Sequence, residues 1–296
     1  MKFFWFIICL LFPLIDRLSS LNIECDYASA YFEAVGDLYY CDSKYDLDIF
    51  SRQSATIDEA VGKHGYGKTG KDVGAIYFLN KTVKYFPQAV DKLFPNLKAI
   101  AIWGGGTKEI HQSDLKPFLK LVHFILHECE IEVLEDGLFQ FNPKLKYISF
   151  HGNKIFHIHP NVFDNLKNLS WLYLGSNKCI NNASENSTKS VNSLIPVVKN
   201  KCKSSEFIHF DEDLKKLEAG IEKGELKNFK AEFAEFKTKF VSSAFKDSYT
   251  LGSRFDKLND YLTGLNEKIY WTLLDKVEAL DNKIEQITRG MKAGEF

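Results

Sequence analysis

The sequence has almost no excess of charge of either sign. There are 38 Lys and Arg residues against 39 Asp and Glu residues, which leaves a formal net charge of -1. Overall charge therefore selects neither nucleic acid nor acidic partners, and we expect no nucleic-acid binding. The apolar content of 45% is ample for a buried core, and 296 residues suggest one elongated or two compact domains.

Long apolar runs are missing beyond the first fifteen residues. Near the N-terminus one basic residue precedes the apolar run Phe3–Ile15, and two serines follow it. This order is typical of a secretory signal peptide over residues 1–20, and it predicts a secreted, extracellular protein whose mature chain starts near Leu21. The run is shorter than the roughly 20 residues of a spanning helix, so we expect no transmembrane segment. An uncleaved signal anchor is the alternative.

The residue groupings of an enzyme are missing as well. No Ser, His and Asp set and no pair of carboxylates falls at the spacing that hydrolysis requires. Two glycine motifs, Gly62–Thr69 and Gly65–Gly70, match phosphate-binding patterns, but a strand-like segment follows them where an anion site needs a helix N-terminus. We expect no enzymatic activity and no cofactor, with nucleotide binding at this loop as the alternative.

Cysteine is scarce in the predicted mature chain, and its positions form two pairs. Cys25 and Cys41 lie near the start, Cys179 and Cys202 lie about two thirds along the chain, and Cys129 stands alone between the pairs. In a secreted chain this layout predicts two disulfides, Cys25–Cys41 and Cys179–Cys202, that bracket the middle segment. We interpret Cys129 as a buried free thiol, and an intermolecular bridge is the alternative.

The middle segment repeats every 24 residues. Each unit carries two apolar positions, two residues apart, as the inward face of one short strand requires. Three residues after the second apolar position, three of the five units carry Asn or Cys, which can bond to the neighbouring coil or pack as a small buried group. The units start at Val73, Leu97, Leu121, Leu145 and Leu169; the apolar positions are Ile76, Ile100, Phe124, Ile148 and Leu172, then Phe78, Ile102, Leu126, Phe150 and Leu174; the last position holds Lys81, Gly105, Cys129, Asn153 and Asn177.

This pattern resembles the leucine-rich repeat. The chain is similar to secreted leucine-rich-repeat proteins of midges and other insects in its cysteine-bounded caps and in GKHGYGKTGKDV, NKTVKYFPQAVDKLFPNL, FQFNPKLKYI and NVFDNLKNLSWLYLGSNKC. The resemblance covers about Ile23 to Cys202. It implies an α/β solenoid, a short horseshoe with capped ends, and an extracellular binding role without a particular ligand.

Two departures from the repeat pattern, at Lys81 and at Trp103–Gly106, leave the usual Asn or Cys position without either residue, so we expect irregular first and second coils.

An unrelated α/β domain is the alternative to the solenoid. The predicted divisions are a signal peptide at 1–20, an N-terminal cap at 21–72, repeats at 73–178, a C-terminal cap at 179–204 and a helical hairpin or coiled coil at 205–296.

Strand residues that alternate with the buried positions face the concave side of such a horseshoe. None of them carries a formal charge, and aromatic and histidine residues are concentrated in adjacent units. This composition is typical of a contact surface and predicts binding of an extracellular protein or glycan. The alternative is that the protein's own C-terminal helices or a glycan cover the surface. The candidate partner-binding residues are Tyr77, Trp103, His123, Ile125, His127, Tyr147, His151, Trp171 and Tyr173.

A metal site on this surface would depend on His127 and His151, which occupy one position in neighbouring units, about 5 Å apart. No carboxylate shares their column, so we expect no metal.

Glycosylation is predicted, because four Asn-x-Ser/Thr sequons suit a surface in the secretory route. The sequons are at Asn80, Asn168, Asn182 and Asn186.

After Cys202 the 24-residue period ends and a charged, almost proline-free region begins. Its apolar residues recur at three- and four-residue spacing, which predicts two amphipathic helices of roughly 35 residues around a loop at Gly252, as a hairpin or a coiled coil. The stripes are Leu226, Phe229, Phe233, Phe236 and Phe240; Phe255, Leu258, Leu262, Leu265 and Ile269; and Val277, Leu280, Ile284 and Ile287.

The order of modules resembles mosquito immune proteins that join leucine-rich repeats to coiled coils. Our leading hypothesis is a secreted, non-enzymatic recognition or adhesion protein, with innate immunity as one candidate role. Its helices would provide either homo- or hetero-oligomerisation or a second contact. The alternative is a structural extracellular or salivary protein that associates, or binds lipid, through the C-terminal amphipathic helices.

Overall fold

The computed structural model of the chain describes residues 21–47, 49, 51, 55–223 and 226–242, and positions 254, 258 and 260. These residues form two compact units that divide between Ser205 and Glu206. The predicted signal peptide lies outside the described residues. Within the described ranges, no helix has both the length and the apolar character that crossing a membrane requires.

The first unit is built on one nine-stranded sheet with the spatial order β11-β10-β8-β6-β5-β4-β2-β1-β3. The first two strands form an antiparallel hairpin, and the five repeat strands β4, β5, β6, β8 and β10 run parallel. A second sheet pairs β7 with β9. The strands are β1 Leu21–Phe32, β2 Gly36–Ser43, β3 Ile57–Val61, β4 Val73–Leu79, β5 Ala99–Trp103, β6 His123–His127, β7 Val133–Leu134, β8 Tyr147–Ser149, β9 His157–Ile158, β10 Trp171–Tyr173 and β11 Ala183–Ser184.

The parallel strands pair with an offset of 24 residues, which confirms the predicted repeat. Ile76 lies opposite Ile100, which lies opposite Phe124, and the same register continues to Ile148 and Leu172. All five of these side chains are buried. Stacking identical positions of successive coils lets each short strand complete the core of its neighbour, which no single coil could do alone.

The returning arcs of the coils contain little regular structure. Two short helices, α1 Val90–Leu93 and α2 Gln112–Leu115, lie in the first two arcs. Buried rings fill the space between arcs and strands, and Phe139 lies between Phe124, Phe150 and Phe163 at centroid distances of 6.1 to 6.4 Å. The core is therefore continuous from coil to coil.

Asparagine side chains close the turns after the later strands. The Asn153 Nδ2 group donates to the carbonyl oxygens of Leu126 (2.8 Å) and Phe150 (3.0 Å), and its Oδ1 accepts the N–H of Ile131 at 3.0 Å. Asn177 repeats the same bonds one coil later. Each amide thus bonds to backbone groups of two neighbouring coils.

The expected irregularity of the first two coils is wrong for their strands. β4 and β5 pair over five residues without a shift, from Ala75 opposite Ala99 to Leu79 opposite Trp103. At the Asn position of the second coil, Gly105 replaces side-chain bonding with close packing, since a Cβ there would lie 2.5 Å from Ile102 Cγ2. The backbone of Gly105 still accepts the N–H of Val83 at 2.7 Å.

Both predicted disulfides are present. Cys25–Cys41 joins β1 to β2 within the hairpin, and Cys179–Cys202 ties the segment after β10 to the end of helix α3, Thr188–Lys201. Apolar residues of α3 belong to the same core as the coils and cover the last of them. Cys129 is free and buried, as predicted, and burial raises the pKa of its thiol.

In the second unit, the described residues form α4 Ser205–Lys223 and α5 Leu226–Ser242. The first predicted apolar stripe, from Leu226 to Phe240, lies within α5, which agrees with an amphipathic helix there. The predicted loop at Gly252 and most of the second predicted helix lie outside the described residues. Phe233 and Phe236, the members of the first stripe with described side chains, are buried, so this fold does not offer them to a lipid surface.

We expect Asn153→Ala to lower the free energy of unfolding by about 2 to 4 kcal/mol, because it leaves a buried N–H and buried carbonyl groups without partners. Asn192→Ala, at an exposed position of α3, is the matched control and should change stability by less than about 0.5 kcal/mol. Urea denaturation followed by circular dichroism measures both. Equal midpoints for the two variants would contradict this function of Asn153.

Candidate functional site

Strand side chains that point away from the core form a surface that we call the repeat face. The paired strands arrange these residues in three columns, and the charged Asp42 of β2 joins the middle column. The first column is Tyr40, Ala75, Ala99, His123, Tyr147 and Trp171; the middle column is Asp42, Tyr77, Ala101, Ile125, Ser149 and Tyr173; the third column is Leu79, Trp103 and His127, with His151 beside His127.

The N-terminal hairpin covers the beginning of the first column. Phe32, at the end of β1, is only 2% exposed and packs in one cluster with Ala75 and Ala99. Its ring stacks on Tyr77 at a centroid distance of 5.0 Å and meets His123 edge-on at 5.9 Å. Two alanines in adjacent strands leave room for this ring, so the chain itself occupies part of the predicted binding surface.

His123 is consequently not an accessible contact residue, which corrects the sequence-based interpretation. The side chain is 4% exposed, and its Nδ1 donates to the backbone carbonyl oxygen of Glu33 at the hairpin turn over 2.9 Å. Burial lowers the pKa of His123, so the ring is neutral near pH 7. It also stacks on Tyr147 at 4.2 Å. His123 therefore holds the hairpin against the repeat face.

The third column remains outside this cover. Trp103 is 40% exposed, and its ring lies 4.3 Å from that of His127, which meets His151 at 4.7 Å. The Trp103 Nε1 group donates to Glu128 Oε2 at 3.2 Å. Burial lowers the pKa of His127, and the nearby His151 lowers it further. His127 is therefore neutral near pH 7, and the row has one carboxylate, that of Glu128, at its edge.

A second aromatic group lies at the far end of the repeat face. Tyr147 contacts Trp171 and Tyr173 at centroid distances of 6.3 and 5.4 Å. The Tyr173 hydroxyl donates to Glu185 Oε2 at 2.9 Å. Burial raises the pKa of Tyr173, and its bond to Glu185 adds to the increase, so this hydroxyl remains protonated at physiological pH.

Between the hairpin tip and the third column the repeat face contains an apolar hollow of about 210 Å³. Ala101 stands in the middle of it, and the surrounding side chains include Tyr77, Leu79, Trp103 and Ile125. Leu79 and Trp103, which are paired in neighbouring strands, are 48% and 40% exposed. We call this feature the Ala101 hollow.

The structure adds functional candidates that the repeat pattern did not include. Phe32 covers the face, and the carboxylates of Asp42, Glu128 and Glu185 lie at its margins. Alternation around the buried Cys41 could have placed Asp42 on the repeat face, since residues on either side of a buried strand position face outward. The position of Phe32 follows from contacts across about 90 residues, for which the sequence holds no local pattern.

The phosphate-loop motif serves a structural purpose. The Thr69 backbone N–H and hydroxyl both donate to Asp72 Oδ2, at 2.9 and 3.1 Å, and Lys68 Nζ lies 3.8 Å from Asp72 Oδ1. The motif runs into the three-residue helical turn Gly70–Asp72, and strand β4 follows that turn directly. The groups that would bind phosphate thus face a carboxylate of the same loop, which disfavours an anion there.

Other predicted positions are distributed over the surface. The asparagines of all four sequons are exposed, at Asn80 after β4, Asn168 before β10, and Asn182 and Asn186 on either side of β11. Among the described residues, no group of three or more His, Cys, Asp or Glu side chains is arranged to hold a metal ion.

Comparison with known families agrees with this architecture. Residues 120–178 match the family model described as "Leucine rich repeat". The matched residues include strands β6, β8 and β10, and the match agrees with their 24-residue parallel register. Leucine-rich repeats are typically non-enzymatic protein-interaction domains. No curated protein gives a sequence match.

Solved structures match over 32% to 42% of the chain. A chain of the Toll–Spatzle complex, described as a molecular hub in Drosophila development and innate immunity, is 16% identical over 42% of this chain and 17% of that chain, with a TM-score of 0.35. Its glycosylated form is 18% identical over 38% and 15%, also at 0.35. The leucine-rich repeat domain of APL1B is 18% identical over 32% and 28%, at 0.31. The match spans less than a third of each of these chains.

We expect Phe32→Ala to raise the pKa of His123 toward its ordinary value of 6.5, because the ring that buries the imidazole is removed. The variant should also lose about 3 kcal/mol or more of stability. NMR titration of the His123 ring protons measures the pKa. Tyr31→Ala, one residue away and 67% exposed, is the control and should leave the pKa unchanged. An unchanged pKa in Phe32→Ala would show that the hairpin does not cover His123.

Proposed function

We propose that this chain is a secreted, non-enzymatic recognition or adhesion protein that binds an extracellular protein or glycan through the uncovered part of the repeat face. The observation that carries the proposal is the exposure of Leu79 and Trp103 beside the Ala101 hollow. Large apolar side chains grouped at a depression are typical of contact surfaces, because their burial by a partner removes apolar area from water.

The strand positions that flank the hollow support binding rather than solvation. Tyr77, Ala101, Trp103 and Ile125 carry no charge, whereas a strand face exposed to water is usually rich in charged side chains. Rigid aromatic groups on regular strands also lose little conformational entropy when a partner binds. The proposed contact residues are Tyr77, Trp103, Ile125, His127, Tyr147, His151, Trp171 and Tyr173.

Secretion is supported by several independent features. The N-terminal apolar run has the length and flanks of a signal peptide, and two disulfides stabilise the first unit. Asn80, Asn168, Asn182 and Asn186 are exposed and are our proposed glycosylation sites. The helices of the second unit are proposed to contribute oligomerisation or a second contact.

We expect Trp103→Glu to abolish capture of the partner from extracellular fluid, because the substitution places a charge in an apolar contact and removes a large ring. Tyr66→Glu is the control, since Tyr66 is fully exposed in the loop that precedes β4 and lies outside the repeat face. The immobilised variants are compared by quantitative mass spectrometry of the bound proteins and glycans.

Loss of the same bound species with Trp103→Glu, and its retention with Tyr66→Glu, is the predicted result. If both variants capture the same species as the unsubstituted chain, the repeat face is not the binding surface. Circular dichroism of each variant verifies that the fold is intact.

A further inference from the structure

The repeat face contains two shallow sites of the same construction. In each site, alanine residues of the parallel strands form the base, and Tyr77 forms a side wall of both sites. In the first site the floor is Ala75 and Ala99, and Phe32 of the hairpin fills it. In the second site the floor is Ala101, and no described side chain fills it. The chain thus shows which type of group an alanine floor beside Tyr77 accepts.

The lining of the Ala101 hollow favours a ring over a sugar. Leu79, Ile125 and the faces of Tyr77 and Trp103 are apolar, and the one indole donor, Trp103 Nε1, already donates to Glu128. A glycan site needs several free donors and acceptors for the hydroxyl groups, because a polar group buried without a partner is costly. An aromatic side chain has no such requirement and gains from stacking and burial.

The charges near the hollow are mainly negative. Asp42 lies opposite Tyr77 in the middle column, and Glu128 lies beside Trp103. The Asp42 Oδ1 atom is buried and accepts no hydrogen bond within the described chain, and burial raises the pKa of this carboxyl group. Lys81 is the neighbouring cation that partly balances Asp42. A positively charged group of a partner is therefore attracted to both sides of the hollow by the carboxylates of Asp42 and Glu128.

We propose that the Ala101 hollow binds a Phe-like aromatic side chain of a protein partner, flanked by Lys or Arg residues that the carboxylates of Asp42 and Glu128 attract. The inference rests on the proposed function of the repeat face and specifies the occupant. The partner ring lies on Ala101 between Tyr77 and Trp103, much as Phe32 lies on Ala75 and Ala99 and stacks on Tyr77.

The test uses the full chain and N-acetylated, C-amidated tripeptides. Arg-Phe-Arg is the probe, Arg-Ala-Arg lacks the ring, Glu-Phe-Glu reverses the charge, and chitotriose represents a glycan. Binding is measured by the shift of the Trp103 indole N–H resonance in NMR titrations. We expect the affinity for Arg-Phe-Arg, obtained from the titration of this resonance, to be at least about tenfold higher than the affinity for each of the other three probes.

Two variants separate the hollow from the surface around it. Ala101→Leu fills the hollow and should weaken Arg-Phe-Arg binding by about tenfold or more, and Asp42→Asn should weaken it less, because it removes charge and keeps the shape. Leu79→Asn changes an exposed wall residue and leaves the packing of the core unchanged, so it tests the hollow even if Ala101→Leu unfolds. Thermal melts identify an unfolded variant.

Equal shifts with Arg-Phe-Arg and Arg-Ala-Arg, a stronger response to chitotriose, or no response to Arg-Phe-Arg would each overturn the inference. The partner captured in the experiment with Trp103→Glu separates this inference from the proposed function. If folded Ala101→Leu still captures that partner with full affinity while Trp103→Glu does not, the repeat face binds the partner and the Ala101 hollow is not its aromatic site.

Discussion

The hydrogen-bonded register of the parallel strands, offset by 24 residues, is the constraint on which the rest of the first unit depends. It brings Ile76, Ile100 and Phe124 into one buried column and fixes every intervening side chain on the opposite surface. A shift of one residue would exchange the two surfaces and expose the core. Asn153 and Asn177 stabilise this register from the turns, because each bonds to the backbone of two coils.

The same register creates an apolar surface that the chain covers only in part. The hairpin closed by Cys25–Cys41 places Phe32 over the first alanine site, and His123 secures the turn through its bond to Glu33. Beyond this cover, Trp103 and Leu79 remain half exposed around Ala101. The hairpin therefore sets one boundary of the candidate site and also shows the kind of side chain that such a surface holds.

Features with local periodicity could be predicted from the sequence. The repeat columns, both disulfides and the buried Cys129 follow from residue type at fixed spacing, and the structure confirms them. The position of Phe32 could not be predicted, because its partners lie far away in the chain and alanine gives no indication of what covers it. Gly105 was interpreted as a defect, although its missing Cβ is what allows close packing.

The central claim is that a partner binds to the uncovered part of the repeat face, beside Ala101. Hydroxyl-radical footprinting of the chain with and without its captured partner tests this most directly, since oxidation reports the solvent access of individual side chains. The account predicts that the partner protects Trp103 and Leu79 and leaves Tyr31 and Tyr66 as reactive as before. Protection of Tyr66 with unchanged oxidation of Trp103 and Leu79 would contradict it.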